Sequence, residues 1–314
     1  MTFINNIIKQ GFIFLFLLSV SYNVVCSELD DKLQQSVHSV LGIMSFSVVP
    51  DVTSGTLSID NSTTSNPEIF ITNFAGGSTI SKSFPLYLEG GAAYSRYNPK
   101  YVTGQETDTT TIKLKWNSLL FSGGVGWDFP ITEKWVIRPI FNISLGHMES
   151  DLSIAGRVID DETGIDLKFL DDGRMSTYGL GGSLMLDYED YTPERDIDFE
   201  WRYSNIILNT FDTPSSAVSG TFGSIATSLY ARWRAPAGIK LLKRPLRYVL
   251  EGAHTTYLGD QRGILGFNNL SSIGLGFELD SSAYDVVVTR TRLVGRYMFG
   301  HNVSGFTIGL AVSF

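Results

Sequence analysis

Along residues 303–314 oily and small side chains take turns. Ser304, Phe306, Ile308, Leu310, Val312 and Phe314 share one parity, and Val303, Gly305, Thr307, Gly309, Ala311 and Ser313 share the other. Period two sustained over twelve positions predicts a β-strand, because successive strand side chains point to opposite faces of a sheet. At about 3.3 Å per residue such a strand outruns the usual five or six residues of a soluble one, and suits the roughly 9–11 tilted residues that cross a bilayer. The alternation recurs backwards along the chain. In 286–299, Val287, Leu293, Tyr297 and Phe299 oppose Arg290, Arg292 and Arg296; in 269–280, Ile273, Leu275, Phe277 and Leu279 oppose Gly274, Glu278 and Asp280. In 246–257, Leu246, Tyr248 and Leu250 oppose Arg247 and Glu251, and in 223–234, Ile225, Leu229 and Trp233 oppose Arg232 and Arg234. Segments 197–208, 177–188 and 135–148 repeat the pattern, with Asp198, Glu200, Arg202 and Arg138 on the polar parity. Residues 111–129 change phase near Asn117, which a β-bulge explains. Further strands are expected at 86–97, 68–80 and 43–59, which makes twelve.

The connections sort by length. Counting back from the last strand, one set comprises 281–285, the Pro236–Pro245 segment, 189–196, 129–134 and 81–85. The other set comprises 300–302, 258–268, 209–221, 149–175, 98–110 and 60–67, and it holds the longest loops. Short turns alternating with long loops, and an even strand number, are the plan of a bacterial transmembrane barrel. Trp127, Phe129, Trp135, Tyr188 and Trp233 all lie beside short turns, at the level where amphipathic rings meet lipid headgroups. The expected fold is all-β, a transmembrane antiparallel barrel over 42–314.

The beginning of the chain differs in kind. Lys9, an apolar run from Phe12 to Val20 and a polar stretch before Ser27 make a secretory signal over 1–26. Its core is too short to span as a helix, and no later apolar run approaches the 18 residues that a spanning helix needs. Residues 27–41 place Leu29, Leu33, Val37 and Leu41 at helical spacing, with Ser27 as cap and acids in the first turn. Cys26 is the only cysteine, which excludes a disulfide, thiol catalysis and a Cys-bound metal after cleavage. A net charge of −8 speaks against nucleic acid as a partner.

The inward parity carries Arg138, Arg202, Arg232, Arg234, Arg247, Arg290, Arg292 and Arg296 together with Glu89, Asp198, Glu200, Glu251, Glu278 and Asp280. On the lipid face an Arg costs about 2–4 kcal/mol at the midplane, so these charges belong in the lumen. They form either a wall of ion pairs, or an ion-selective pore or polar seat for the helix. The rival class is a hydrolase, whose signature is a His with a Ser and a carboxylate or Asn on adjacent strands near the outer rim. His254 with Thr256 comes nearest in sequence. His147 lies beside Glu149 and Ser150, and His301 lies in the last short loop. All three read as girdle or loop histidines. The acidic groups Asp160, Asp161 and Glu162, and Asp171 with Asp172, offer Ca²⁺ or lipopolysaccharide bridging against the plainer reading of a solvated loop.

The final strand, with Phe306, Ile308, Leu310, Val312 and Phe314 at alternate positions, resembles the C-terminal signature of Gram-negative outer-membrane proteins. That resemblance implies recognition by the barrel-assembly machinery. A short helix followed by twelve strands ending in Phe resembles the translocator domain of autotransporters, here with no passenger ahead of it. What the resemblance implies is a monomeric, non-enzymatic barrel without cofactor or metal, exported through its signal to the outer membrane. Its partners there are lipid and lipopolysaccharide, and its lumen is partly filled by its own helix. A small ion-selective pore is the alternative, and a lipid-modifying hydrolase ranks behind it.

Overall fold

Each stretch of alternation becomes a strand because pairing with its neighbours in a closed sheet satisfies every backbone N–H and C=O where no water competes. The structure, a computed structural model, describes residues 38, 41–49, 54–59, 68–98, 100–103, 110–113, 115–151, 174–211, 219–281 and 290–313. The strands are β1 (Ser54–Ile59), β2 (Glu68–Thr79), β3 (Leu86–Asn98), β4 (Lys100–Thr103), β5 (Thr110–Lys113), β6 (Trp116–Trp127), β7 (Phe129–Pro130) and β8 (Trp135–Ser150). They continue with β9 (Arg174–Tyr191), β10 (Asp196–Phe211), β11 (Thr221–Leu241), β12 (Arg244–Leu258), β13 (Asn269–Asp280), β14 (Arg290–Gly300) and β15 (Val303–Ser313).

Twelve of them are staves of one ring. Each pairs antiparallel with its neighbours, β6 pairs with both β3 and β8, and β1 pairs with β15 from Ser54↔Ile308 to Ile59↔Val303. The last seam closes the sheet and leaves no edge. The β4–β5 hairpin stands apart as its own two-stranded sheet, and β7 prolongs β6 for two residues against β8. One end of the ring carries tight connections, such as 192–195 and 242–243, and is called the turn end; the other, which carries 151–173 and 259–268, is the loop end.

The outward side chains of the middle belt are mainly apolar: Leu275 is 71% exposed and Phe306 72%, with Phe141, Ile143, Leu145, Ile273 and Ile308 in the same condition. At the turn end aromatic rings cluster, Phe84 edge-on to Trp127 at 5.4 Å and Trp135 against Tyr188 at 4.8 Å. This is the apolar belt and girdle of a transmembrane barrel.

Three local expectations change. No bulge occurs near Asn117: the ladders from β6 to β3 and β8 run unbroken from Trp116, whose side chain points into the lumen and is 1% exposed. The phase change arises because the lumen at that level is apolar, so an oily residue is at home on the inward parity. The Pro236–Pro245 segment is no long turn. β11 continues to Leu241 and reverses through Leu242 and Lys243, both at positive φ (52° and 64°), and a register shift between Pro236 and Lys240 absorbs the irregular residues. Residues 43–49 are no strand either: 41–45 are helical, 46–47 form a turn, and the first stave begins at Ser54. Apart from His38, residues 27–40 of the expected helix lie outside the described residues, as does the expected signal segment 1–26.

Candidate functional site: a lumen in two layers

The lumen is filled differently at its two ends. At the loop end, residues 41–49 sit inside the ring with Leu41, Ile43, Met44 and Val48 buried. Around them lies one continuous apolar cluster: Ile69, Tyr97, Trp116, Leu120, Met148, Met175, Ile206, Leu208, Phe222, Tyr257, Leu270 and Val303, with Met298 packed against it. Every stave except β1, whose side chains are outside the described residues, supplies a member. Burying each of the four plug side chains contributes about 1.5–3 kcal/mol. The wall makes room for them at Gly146, where a Cβ would collide with Met44 Cε and lie 2.7 Å from Thr177 Oγ1.

The plug is also tied by polar contacts. Gln261 Nε2 donates to Ser45 Oγ at 2.7 Å, Ser45 Oγ donates to the Gly42 carbonyl at 2.5 Å, and Ser47 Oγ donates to Asn73 Oδ1 at 3.2 Å. Ser224 Oγ donates to the Ser45 carbonyl at 3.3 Å. The connection 259–268 folds over the plug. Phe46 packs edge-on to Tyr257 at 4.5 Å and tilted on Phe267 at 5.6 Å, and Leu265 joins the cluster. Asp260 pins this connection to β11 by accepting from the Gly223 N–H at 2.7 Å.

Toward the turn end the same inward parity is charged. Arg202 meets Glu89 with two parallel bonds of 2.8 and 2.7 Å, and Asn142 Nδ2 donates to the same carboxylate at 2.7 Å. Arg138 pairs with Asp128 and, at 3.3 Å, with Asp187, its guanidinium 4.0 Å from the Tyr87 ring centre. On the opposite wall a ladder runs across five staves. Arg232 and Arg234 hold Asp198 at 2.9 and 3.2 Å, Arg234 reaches Glu278 at 3.0 Å, and Arg247 joins Asp196 at 3.0 Å and Asp280 at 3.4 Å. Arg290 lies 3.4 Å from Asp196, Arg292 lies 3.9 Å from Glu278, and Arg296 binds Glu251, which also accepts from Tyr230 at 2.8 Å. Charges in a confined lumen survive because each has a partner; a lone one would bear its full desolvation cost. Outside this layer, in the turn between β7 and β8, Lys134 donates to Asp190 of β9 at 2.7 Å, and that bond raises the lysine above its ordinary value. Between the two layers a cavity of about 430 Å³ remains, with Phe46 and Val49 on one side and Glu89, Arg202, Arg292 and Arg296 on the other.

The plug meets the apolar layer, and the arginines do not seat it. Sequence parity found the charged residues but had no signal for the apolar ring, because Trp116, Met148 and Phe222 look like lipid-facing residues on the wrong face. In the terminal strand Phe306 and Ile308 point outward, only the backbone of Leu310 and Val312 is described, and Phe314 lies outside the described residues, as do Asp160, Asp161, Glu162, Asp171 and Asp172.

His147 and His254 are on the outer face, and His301 lies in the turn between β14 and β15. His254 contacts Ser271 Oγ at 2.8 Å through Nδ1 and Thr256 Oγ1 at 3.3 Å through Nε2. His147 contacts Ser176 Oγ at 3.0 Å through Nδ1 and Glu149 Oε1 at 2.8 Å through Nε2. Ser176 was hidden in the sequence by the long 151–173 connection that separates it from His147.

A closed ring of twelve antiparallel staves with an apolar outer belt and a filled polar-and-apolar lumen defines a transmembrane β-barrel with an internal plug. The transport unit of the autotransporter AIDA-I from Escherichia coli has a similar fold, with a TM-score of 0.51 and 12% identity over 90% of this chain and 99% of that one. The beta domain of the Bordetella autotransporter BrkA is also similar (TM-score 0.44, 12% identity, 84% of this chain and 100% of that one), as is the translocator domain of NalP from Neisseria meningitidis (0.42, 10%, 84% and 88%). The likeness is one of fold. No family model and no curated protein matches the chain.

Proposed function

We propose that the chain is an outer-membrane barrel of the autotransporter translocator plan, its loop end facing outward and its lumen closed by its own residues 41–49. The observation that carries this reading is the apolar cluster across the lumen, to which every stave with described side chains contributes. An apolar cross-section around a plug excludes water and ions, and the arginines below it are matched to carboxylates rather than facing a water column. The lumen is then a sealed seat and performs no chemistry of its own.

Single-channel recordings of the purified barrel test it. The intact chain should pass little current, and a variant lacking 41–49 should conduct; high conductance in the intact chain, unchanged by the deletion, would replace the plug with an open, ion-selective pore. The lipid partners are bilayer and lipopolysaccharide, the barrel stands alone as a monomer, and the terminal strand is what the assembly machinery grips. Removing Phe314 should therefore lower the outer-membrane level far more than removing one residue of the 212–218 connection. Equal levels for the two deletions would count against that assembly role.

A further inference from the structure

We propose that Ser176, His147 and Glu149 form a serine hydrolase triad on the lipid-facing side of the loop-end rim, acting on carboxylic esters of fatty acids. The site lies outside the lumen, so it goes beyond the plugged-barrel reading and stands without it.

The geometry is set by the sheet. His147 and Ser176 are direct cross-strand partners on β8 and β9, and Glu149 lies two residues further along β8 on the same face. The proton positions follow from chemistry. A carboxylate only accepts, so the hydrogen of a neutral His147 ring sits on Nε2 and is given to Glu149 at 2.8 Å. Nδ1 then has a lone pair, and Ser176 O–H donates to it at 3.0 Å. Nucleophile, base and orienting carboxylate thus stand in hydrogen-bond series, as covalent acyl transfer requires.

A second His–Ser pair on the same face serves as a comparison. His254 and Ser271 are also cross-strand partners, yet the third group is the Thr256 hydroxyl at 3.3 Å, which cannot stabilise an imidazolium as a carboxylate does. Only the His147 set is complete.

The surroundings define the substrate. Directly below His147 and Ser176 the next outward pair is Leu145 and Tyr178; the flanking cross-strand partners are Leu119 on β6 and Phe211 on β10, all exposed. An acyl chain lying along this apolar strip brings its ester to the height of Ser176. Asn209 pairs with Tyr178 and is the diagonal neighbour of Ser176; its Oδ1 accepts from Thr221 on β11 at 2.9 Å, and its amide NH₂ is the donor we assign to a developing oxyanion.

In the first step Ser176 Oγ bonds to the ester carbonyl carbon while its proton passes to His147 Nδ1. The tetrahedral adduct then breaks its bond to the alcohol oxygen, which leaves with that proton. Water attacks the acyl-serine, gives its proton to His147, and collapse returns a proton to Ser176 Oγ and frees the carboxylic acid.

The test uses the full barrel in detergent and in mixed vesicles of phosphatidylethanolamine and lipopolysaccharide. A fluorophosphonate probe should mark the Ser176 peptide, and free fatty acid should appear, non-hydroxylated from phospholipid or 3-hydroxylated from lipopolysaccharide. Ser176→Ala and His147→Ala should lose the label and lower hydrolysis at least about 10³-fold. Glu149→Gln and Asn209→Leu should each lower kcat about 10²-fold, and His254→Ala should change nothing. Each variant is read only where heat-shifted gel migration shows a folded barrel; Ser176→Ala removes one surface oxygen. Hydrolysis that survives Ser176→Ala, or a folded wild-type barrel that neither labels at Ser176 nor releases acid, overturns the proposal. Neither result bears on conductance, which reports the plug.

Discussion

The two halves of the lumen fill the same tube by opposite means. At the loop end Met44, Ile43 and Leu41 enter a ring of Trp116, Met148, Met175 and Phe222, as in a soluble core. At the turn end six arginines interlock with Asp196, Asp198, Glu251, Glu278 and Asp280. The apolar half needs a separate chain segment to be complete, whereas the charged half is complete within the wall. A barrel can therefore lose its plug and keep its charged girder, but the reverse loss threatens the wall itself.

The largest stability effect is expected in the charged half. Glu278→Ala takes a carboxylate partner from Arg234, Arg290 and Arg292 at once and should cost about 3–5 kcal/mol, read as a lower temperature of the heat-induced gel shift. A plug variant should cost somewhat less and act elsewhere. Met44→Ala should cost about 2–5 kcal/mol of plug binding. It should appear as current through the barrel, with the heat-shift temperature nearly unchanged. Gly146→Val approaches the same contact from the wall, since its side chain would claim the space of Met44 Cε. It sharpens the comparison if current rises while the staves stay paired. Replacing Glu89 and Arg202 together by Leu and Met tests whether the charged half requires charge or only volume. The double variant should recover most of the stability that either single change loses, measured by the same gel shift. Least of all, Lys134→Ala, an exposed turn pair, should leave that temperature unmoved.

How much of this was legible in the chain follows the same division. Parity placed Arg232, Arg234, Glu278 and Arg296 inward, because charge on a lipid face has no tolerable alternative, and it gave the count of twelve staves. It failed at Trp116, since an oily residue carries no mark that distinguishes lipid from a plug. It failed again between Pro236 and Pro245, where two prolines and Gly238 imitate a loop although the hairpin simply continues through a register shift. The His147 constellation was half visible: Glu149 is two residues away, but Ser176 comes near only through the register of β8 against β9, which no local pattern encodes.

Only residues 50–53 lie between the plug and the first stave, and this makes the plug an intramolecular ligand. A short linker holds its ligand at an effective concentration on the order of millimolar. A displaced plug cannot diffuse away, so opening would be a first-order equilibrium, independent of protein concentration and fast to reverse. Any soluble competitor for the same seat would have to outbid that tether. Cutting the chain within 50–53 would convert the gate into an ordinary bimolecular binding site, which dilution empties.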